Sequence, residues 1–493
     1  MLLFSSCRNV AGSPCRRGEI MNLSGKHVLV LGLGESGLAS ARWCARQGAC
    51  VRVADTRTAP PFLDELQRRL LDNSASADFV AGEFDKTLLD GIDLLVLSPG
   101  LSGGLMVVIH ARAAGIAVVG EIELFAQGLR SLGASLPASV PVLAITGTNG
   151  KTTTTALTGH LLRATGKSVG VAGNISPAAL SALMAAQDAN ALPQIWVLEL
   201  SSFQLETTET LNPAAATVLN ISDDHLDRYI DLDEYASAKA RIFQSAEGAP
   251  GVQVLNRADA RVRRMALADR HIITFGLDAP AVPEDFGLRP NRGEAWIVQG
   301  ERFLLPVSEL PLAGLHNAAN AMAALALCTS LGFEANALLP ALRSFRGLPH
   351  RMEKIAELDG VSWYDDSKGT NVGATVAALN GLGGLGRKIV VILGGDGKGQ
   401  DFTPLNTAVA RHARCAVLIG RDGPLIEKAV AGTGVAIENA ADMEDAVRRA
   451  RRQAQPDDAV LLSPACASFD MFRNYEHRAQ VFIAAVRALE HGA

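Results

Sequence analysis

The run Thr146-Gly147-Thr148-Asn149-Gly150-Lys151-Thr152 combines the residue types that hold a nucleoside triphosphate. Backbone N–H groups of a glycine turn cradle phosphates, a lysine neutralises β/γ charge, and a hydroxyl ligates Mg2+. Lys151 and Thr152 fill the last two roles. The loop departs from G-x-x-x-x-G-K-[ST], because only two residues separate Gly147 from Gly150. Its setting carries the reading: a strand precedes it and a helical stretch from Thr153 to Arg163 follows.

A second phosphate-type loop lies upstream. Gly32-Leu33-Gly34-Glu35-Ser36-Gly37 is a G-x-G-x-x-G between strand and helix, with Asp55 18 positions after Gly37. Such glycines let the backbone approach a diphosphate, and the helix start offers free N–H groups and a positive dipole end. Read alone it is the fingerprint of a dinucleotide-binding oxidoreductase, or simply a tight turn. It licenses a diphosphate and does not name the nucleotide; Asp55-Thr56-Arg57 would sit where a base or ribose is read. Glu199 ends a strand and is either a second anchor for the Mg2+ on Thr152 or a strand-end carboxylate facing water. His225 stands among Asp223, Asp224 and Asp227, the composition of an acidic helix-capping turn. Lys239 reads by periodicity as a helical surface lysine. Lys398, in the glycine-rich stretch Gly394–Gly399, is either a carboxylate's partner or a solvated turn lysine.

Three stretches alternate strand-like and helix-like runs, the pattern of parallel α/β sheets. The first holds His27–Leu31, a helix to Gln47, Val51–Ala54, and Asp93–Leu97 running into Ser98-Pro99-Gly100. The second holds Val140–Thr146, Ile195–Glu199 and Ala216–Asn220. The third holds Lys388–Leu393, Cys415–Ile419 and Ala459–Leu462. Joints near Gly120 and Gly347 divide the chain into 1–20, an expected disordered extension, then 21–120, 121–346 and 347–493. Met21 is the expected natural start.

The 493 residues ask for about three domains. Hydrophobic residues at 48% and charged residues at 20% exclude general disorder. With 46 Lys+Arg against 51 Asp+Glu the net charge is −5, which argues against non-specific nucleic-acid binding. The most apolar long stretch, Pro311–Leu331, carries His316, Asn317 and Asn320, so it reads as a buried helix and no membrane span is expected. Seven scattered cysteines (Cys7, Cys15, Cys44, Cys50, Cys328, Cys415, Cys466) form no C-x-x-C pair and fit reduced thiols in the cytoplasm. The 47 glycines exceed what a compact helical protein needs.

Two phosphate loops in successive domains suit a ligase that activates a nucleotide-linked substrate with ATP. The loop 146–152 resembles that of the Mur ligases, the ATP-dependent amino-acid ligases of peptidoglycan synthesis. Leu198–Glu206, Asp223–Arg228, His316–Ala321, Leu348–Arg351, Asp365–Lys368, Gly394–Lys398 and Leu462–Ser468 bring the chain nearest to that family's D-glutamate-adding branch, from about Met21 to the C-terminus.

The resemblance implies three domains: a Rossmann-like one for the UDP-linked substrate (21–120), a P-loop ATPase-like one with a mostly parallel sheet (121–346), and a Rossmann-like one for the amino acid (347–493). It implies that the lactyl-L-alanine carboxylate of UDP-MurNAc-L-Ala takes the γ-phosphate of ATP, and that D-glutamate then displaces phosphate. By the family pattern ATP is held by Gly147, Thr148, Asn149, Gly150, Lys151, Thr152, Thr153, Asn317, Arg351 and Asp366. The UDP-linked substrate falls to Gly34, Glu35, Ser36, Asp55, Thr56, Arg57, Ser98, Gly100 and Asn174. Thr370, Lys398, Ser468, Phe469 and Tyr475 surround D-glutamate. Thr152, Glu199, His225 and Lys239, the last as a CO2-derived carbamate, hold two Mg2+ ions, and Lys151, His225 and Lys239 are the catalytic set. A cytoplasmic monomer of peptidoglycan synthesis, and so of cell shape and division, is expected.

Glu35 departs from the pattern, being awkward beside a diphosphate unless its side chain points away. Another Mur ligase or a folylpolyglutamate-type ligase would share the phosphate loop and carbamylated lysine, but should lack Leu348-Pro349-His350-Arg351 together with Leu462–Ser468. An oxidoreductase would leave Lys151, Lys398 and Ser468 unemployed, and a nucleotide-switched binding protein would need no amino-acid pocket.

Overall fold

Unbroken apolar runs such as Val28–Leu31 and Ile389–Leu393 suit strands covered on both faces, and both are fully buried. In the computed structural model, which describes residues 21–71, 77–133, 140–225, 228–244, 251–312, 314–384 and 386–491, the chain forms two units. One comprises the chain up to Thr146 with Lys167–Ala216 and Ser237–Val252. The other comprises Gly147–Gly166, Thr217–Ala236 and the chain from Gln253 onward. The expected extension 1–20, with Cys7 and Cys15, and the residues Leu226 and Asp227 lie outside the described residues.

The first unit contains a five-stranded parallel sheet in the order Ala77–Ala81, Cys50–Asp55, His27–Leu31, Leu94–Leu97, Ala117–Val119. The strand order reverses between His27–Leu31 and Leu94–Leu97. In a doubly wound sheet a ligand crevice opens at the carboxyl ends of such a pair. That is where Gly32–Gly37 and Ser98–Gly100 fall. The same unit holds Val169–Gly173, Ile195–Glu199 and Val142–Thr146, side by side and parallel.

In the second unit the helix Lys151–Ala164 packs against the helices Leu315–Thr329 and Ala335–Ser344. Leu315–Thr329 is buried along most of its length, as its alanine-rich, uncharged sequence demands. Val252–Asn256 pairs in parallel with Ile272–Phe275, and Phe286–Asn291, Glu294–Gln299 and Arg302–Pro306 follow as an antiparallel meander. A six-stranded sheet runs Glu353–Leu358, Val361–Asp365, Ala459–Leu462, Ile389–Gly394, Ala413–Ile419, Ala436–Asn439, antiparallel only at its first pair. The loops Asp366–Thr370, Gly395–Lys398 and Ser463–Ser468 therefore leave neighbouring parallel strands at the same end.

Among the described residues no helix is long and apolar enough to cross a membrane. Cys44, Cys328, Cys415 and Cys466 are buried free thiols, and Cys50 is half-buried. Burial pushes Cys44 and Cys466 up to about 12 and Cys415 to about 11, and raises Cys328 as well.

Candidate active site

The first glycine loop turns from strand into the helix Glu35–Arg46, whose start no side chain among the described residues caps. Gly37 packs onto the turn so closely that a Cβ there would lie 1.9 Å from the Gly32 carbonyl oxygen, so only glycine fits. Ser98 Oγ donates to that same carbonyl at 2.8 Å, joining the two lips of the crevice. Asp55 is buried behind the loop. It accepts from the Leu33 N–H at 2.7 Å and from the Arg57 backbone and guanidinium at 2.8–2.9 Å. The Arg57 side-chain hydrogen bond holds this carboxyl down at about 2. Asp55 thus braces the loop and orients Arg57. The side chain of Glu35 does point away from the loop: its Oε1 accepts from Ser176 Oγ at 2.7 Å and from the Ala178 N–H at 3.0 Å.

Elsewhere in the first unit Glu199 is buried, against the alternative of a carboxylate facing water. Asn174 Nδ2 donates to its Oε1 at 2.9 Å, while Oε2 is buried without a hydrogen-bond partner among the described residues. A buried carboxylate oxygen left open is costly unless a cation or donor completes it. Lys239 overturns the expectation of a surface lysine: only 1% of it is exposed, and its Nζ donates to Thr146 Oγ1 at 3.4 Å. The helix Leu232–Ala240 carries alanine and serine on several faces, so periodicity alone could not tell which face was buried.

In the second unit Gly150 precedes the helix Lys151–Ala164 with φ +84°, and a Cβ there would meet Asn320 Oδ1 at 2.4 Å. Glycine is required twice over, by the backbone and by the close approach. Lys151 Nζ donates to the Gly147 and Thr148 carbonyls, each at 2.8 Å. Asn220 braces the loop on both sides, its Oδ1 accepting from the Asn149 N–H at 2.8 Å and its Nδ2 donating to the Asn149 carbonyl at 3.0 Å. Thr148 Oγ1 lies 3.4 Å from the hydroxyl of the buried Tyr235. His225, at φ +56°, stands edge-on to that Tyr235 ring and 3.7 Å from Asp224. Asn317 and Asn320, both buried, hydrogen bond to each other at 3.1 Å.

Arg351 reaches this loop, its Nη2 donating to Thr152 Oγ1 at 2.7 Å. Asn371 Nδ2 donates to Asn149 Oδ1 at 3.3 Å, and its own Oδ1 caps the helix Val372–Gly383. Asp366 accepts from Ser463 Oγ at 2.7 Å; burial pushes it up to about 7, against the pull of Ser463 and Arg351. Lys368 Nζ lies 3.9 Å from the Tyr475 ring centre. The loops that carry the remaining amino-acid residues are joined by backbone hydrogen bonds, Ala467 N–H donating to the Asp396 carbonyl at 2.8 Å and Ala465 N–H to the Gly369 carbonyl at 3.0 Å. Thr370 is half-buried and Ser468 buried, whereas Lys398 is exposed at φ +51° and Phe469 is 70% exposed.

Several supporting residues escaped the sequence. Asn220 and Asn371 hold Asn149. His350 Nδ1 pairs with the buried Asp365 at 2.7 Å, and Arg478, 1% exposed, donates to the carbonyls of Cys466 and Ser367. The one available signal was position, since Asn220 ends a legible strand and His350 adjoins Arg351.

Glu121 shows a pH effect that needs no ligand. Burial pushes this carboxyl up to about 7, opposed by the Leu180 N–H and assisted by the Glu35 charge. A raised carboxyl stabilises the fold fully below its unfolded value and loses that contribution as pH rises through its folded value. Glu121→Gln should therefore gain on the unsubstituted protein, by about 3 kcal/mol, between pH 4.5 and pH 8. Urea unfolding at the two pH values measures this, and a pH-independent difference would refute it.

Phosphate-type loops opening helices in successive α/β sheets, with a third sheet lending a guanidinium to the second loop, define an ATP-using ligase rather than an oxidoreductase. The chain matches the profiles of the Mur ligase MurD-like N-terminal domain over residues 26–120, the Mur ligase middle domain over 145–328 and the Mur ligase glutamate ligase domain over 350–466. It belongs to the Mur ligase family. It is 59% identical to the UDP-N-acetylmuramoylalanine--D-glutamate ligase of Aromatoleum aromaticum, across 95% of this chain and 98% of that one. It is 52% identical to the enzyme of the same name from Nitrosomonas europaea, over 95% and 98%. Among solved structures it shares its fold with the MurF ligase of Thermotoga maritima in complex with ADP, with TM-score 0.59 at 17% identity over 96% and 99% of the chains. The folylpolyglutamate synthase of Mycobacterium tuberculosis complexed with ADP gives 0.53 at 18%, over 73% and 94%.

Proposed function

We propose that the chain is an ATP-dependent ligase that joins D-glutamate to the L-alanine carboxylate of UDP-N-acetylmuramoyl-L-alanine, releasing ADP and phosphate, in peptidoglycan precursor synthesis. The carrying observation is Arg351 on Thr152: a cation from the third sheet lies on the loop whose lysine and hydroxyls suit ATP. Amide formation from a carboxylate is uphill in water, so the carboxylate oxygen first takes the γ-phosphoryl group and ADP leaves. The D-glutamate amine then attacks the acyl carbon, loses a proton, and phosphate departs. Catalysis of such a transfer is positioning and neutralisation of charge.

In this reading Gly147, Thr148, Asn149, Gly150, Thr152 and Thr153 cradle the phosphates through backbone and hydroxyl groups. Lys151 leaves its carbonyl partners for the β/γ-phosphates. Arg351 adds charge, and Asn317 and Asp366 bind the nucleoside. The backbone amides of Gly34, Glu35 and Ser36 take the diphosphate of the UDP-linked substrate, with Asp55, Thr56, Arg57, Ser98, Gly100 and Asn174 around it. Thr370, Lys398, Ser468, Phe469 and Tyr475 receive D-glutamate, Lys398 pairing with a carboxylate.

The buried, open Oε2 of Glu199 fits a hard cation, which favours oxygen donors. Thr152, Glu199, His225 and Lys239 as carbamate would hold Mg2+, which supplies neutralisation of phosphoryl charge. Carbamylation adds CO2 to the neutral amine, releases a proton and leaves two oxygens suited to a hard cation. The enzyme works as a cytoplasmic monomer on small molecules and binds no nucleic acid in this reading. The decisive measurement is phosphate release from ATP with UDP-MurNAc-L-Ala and single amino acids. D-glutamate should stimulate it; stimulation by a different amino acid and not by D-glutamate would sink the proposal.

A further inference from the structure

Glu35 is the residue that the diphosphate loop does not explain, and its contacts lead away from that loop. It occupies the first turn of the helix Glu35–Arg46, where its carboxylate could fold back over the amides that a diphosphate needs. Instead its Oε1 accepts from both Ser176 Oγ and the Ala178 N–H, at the start of a second helix, Ala179–Asp188. That helix start is doubly engaged by carboxylates, because Glu121 accepts from the Leu180 N–H at 2.7 Å. The segment before it carries Asn174, whose N–H donates to the Glu199 carbonyl at 2.7 Å and whose Nδ2 donates to Glu199 Oε1. A short line of direct bonds thus runs from the first glycine loop, through residues 174–178, to the carboxylate with the open buried oxygen.

We propose that Glu35 is a positioning residue that sets the register between the diphosphate end and the acyl end of the UDP-linked substrate. Its side chain ties the glycine loop to the segment that carries Asn174, and Asn174 in turn orients Glu199. The inference rests on the ligase reading above, in which the glycine loop takes the diphosphate of the UDP-linked substrate and Glu199 holds the Mg2+ beside which its carboxylate is phosphorylated. Its chemistry is acceptor chemistry. Glutamine at position 35 still offers an oxygen to Ser176 and Ala178, whereas alanine offers nothing.

The test compares two probes, UDP alone and UDP-MurNAc-L-Ala. UDP samples only the diphosphate end, and the full substrate samples both ends. In Glu35→Ala, which keeps the backbone amide at position 35, the calorimetric affinity for UDP should fall far less than that for UDP-MurNAc-L-Ala. Affinity for UDP-MurNAc-L-Ala should fall about fivefold, the size of a lost exposed hydrogen-bond pair. The KM for ATP should not move. Glu35→Gln should recover most of the loss, and Ser176→Ala should weaken full-substrate binding without adding to Glu35→Ala. Equal weakening of UDP and the full substrate would mean that Glu35 merely shapes the diphosphate turn, and would overturn the proposal. So would unchanged binding of both probes, or a Glu35→Gln variant as impaired as the alanine one. A wild-type protein lacking D-glutamate-dependent phosphate release would instead defeat the ligase reading, a separate and recognisable outcome.

Discussion

Lys239→Ala is expected to lower kcat by about 10³-fold while leaving the protein folded, with partial recovery on adding a short carboxylate such as formate or acetate. The magnitude is that of removing one preorganised electrostatic group from a phosphoryl-transfer site, which is the role proposed for Lys239 as a Mg2+-holding carbamate. Lys239 is almost wholly buried and its Nζ lies against Thr146, the first residue of the loop 146–152. A lysine enclosed in this way serves poorly as a surface charge. As a carbamate it presents two anionic oxygens suited to Mg2+. A small carboxylate carries the same two oxygens and fits the space the shortened side chain vacates. Phosphate release measured with and without formate reads the effect. Full activity in Lys239→Ala would remove the carbamate from the mechanism, and rescue by chloride as good as by formate would show that only charge is needed.

Lys151→Met is the second large effect, a loss of about 10²–10³ in kcat with little change in thermal stability. The Lys151 ammonium holds the carbonyls of Gly147 and Thr148, two loop contacts that are half-exposed and contribute modestly to the fold. In the proposed mechanism its value lies in the charge it brings to the phosphates. Methionine keeps the length of the side chain and removes the charge. Single-turnover phosphate release should therefore slow far more than ATP binding weakens. A variant in which ATP affinity falls a thousandfold while single-turnover chemistry is unchanged would place the lysine in ground-state binding alone.

Strands buried on both faces were legible because burial leaves an unbroken apolar word: His27–Leu31, Ile195–Glu199 and Ala459–Leu462 fall where their residues put them. Val169–Gly173 was not read, because Gly170 and Gly173 break the apolar run. The antiparallel meander from Phe286 to Pro306 was hidden by Pro290, Asn291 and Gly293 at one of its turns. The site divides in the same way. Glycine loops declare themselves because backbone conformation restricts which residue fits, so Gly37 and Gly150 carried information into the sequence. Glu199 and Lys239 did not, since nothing local distinguishes a buried ionic side chain from one in water. Asn220 and Asn371 were missed for a related reason: each braces Asn149 from a remote part of the chain, and an asparagine at a strand end or helix start already has an ordinary local use.

The buried thiols make the protein its own set of opening sensors. Cys44 sits in the first glycine loop's helix, Cys328 in the long alanine-rich helix, and Cys415 and Cys466 in or beside strands of the six-stranded sheet. Each is sealed from solvent and held as an unreactive thiol, so an alkylating reagent gains access only when that neighbourhood opens. Rates of labelling at these cysteines therefore clock three separate neighbourhoods in one unaltered chain, with half-buried Cys50 as the internal reference for ready access.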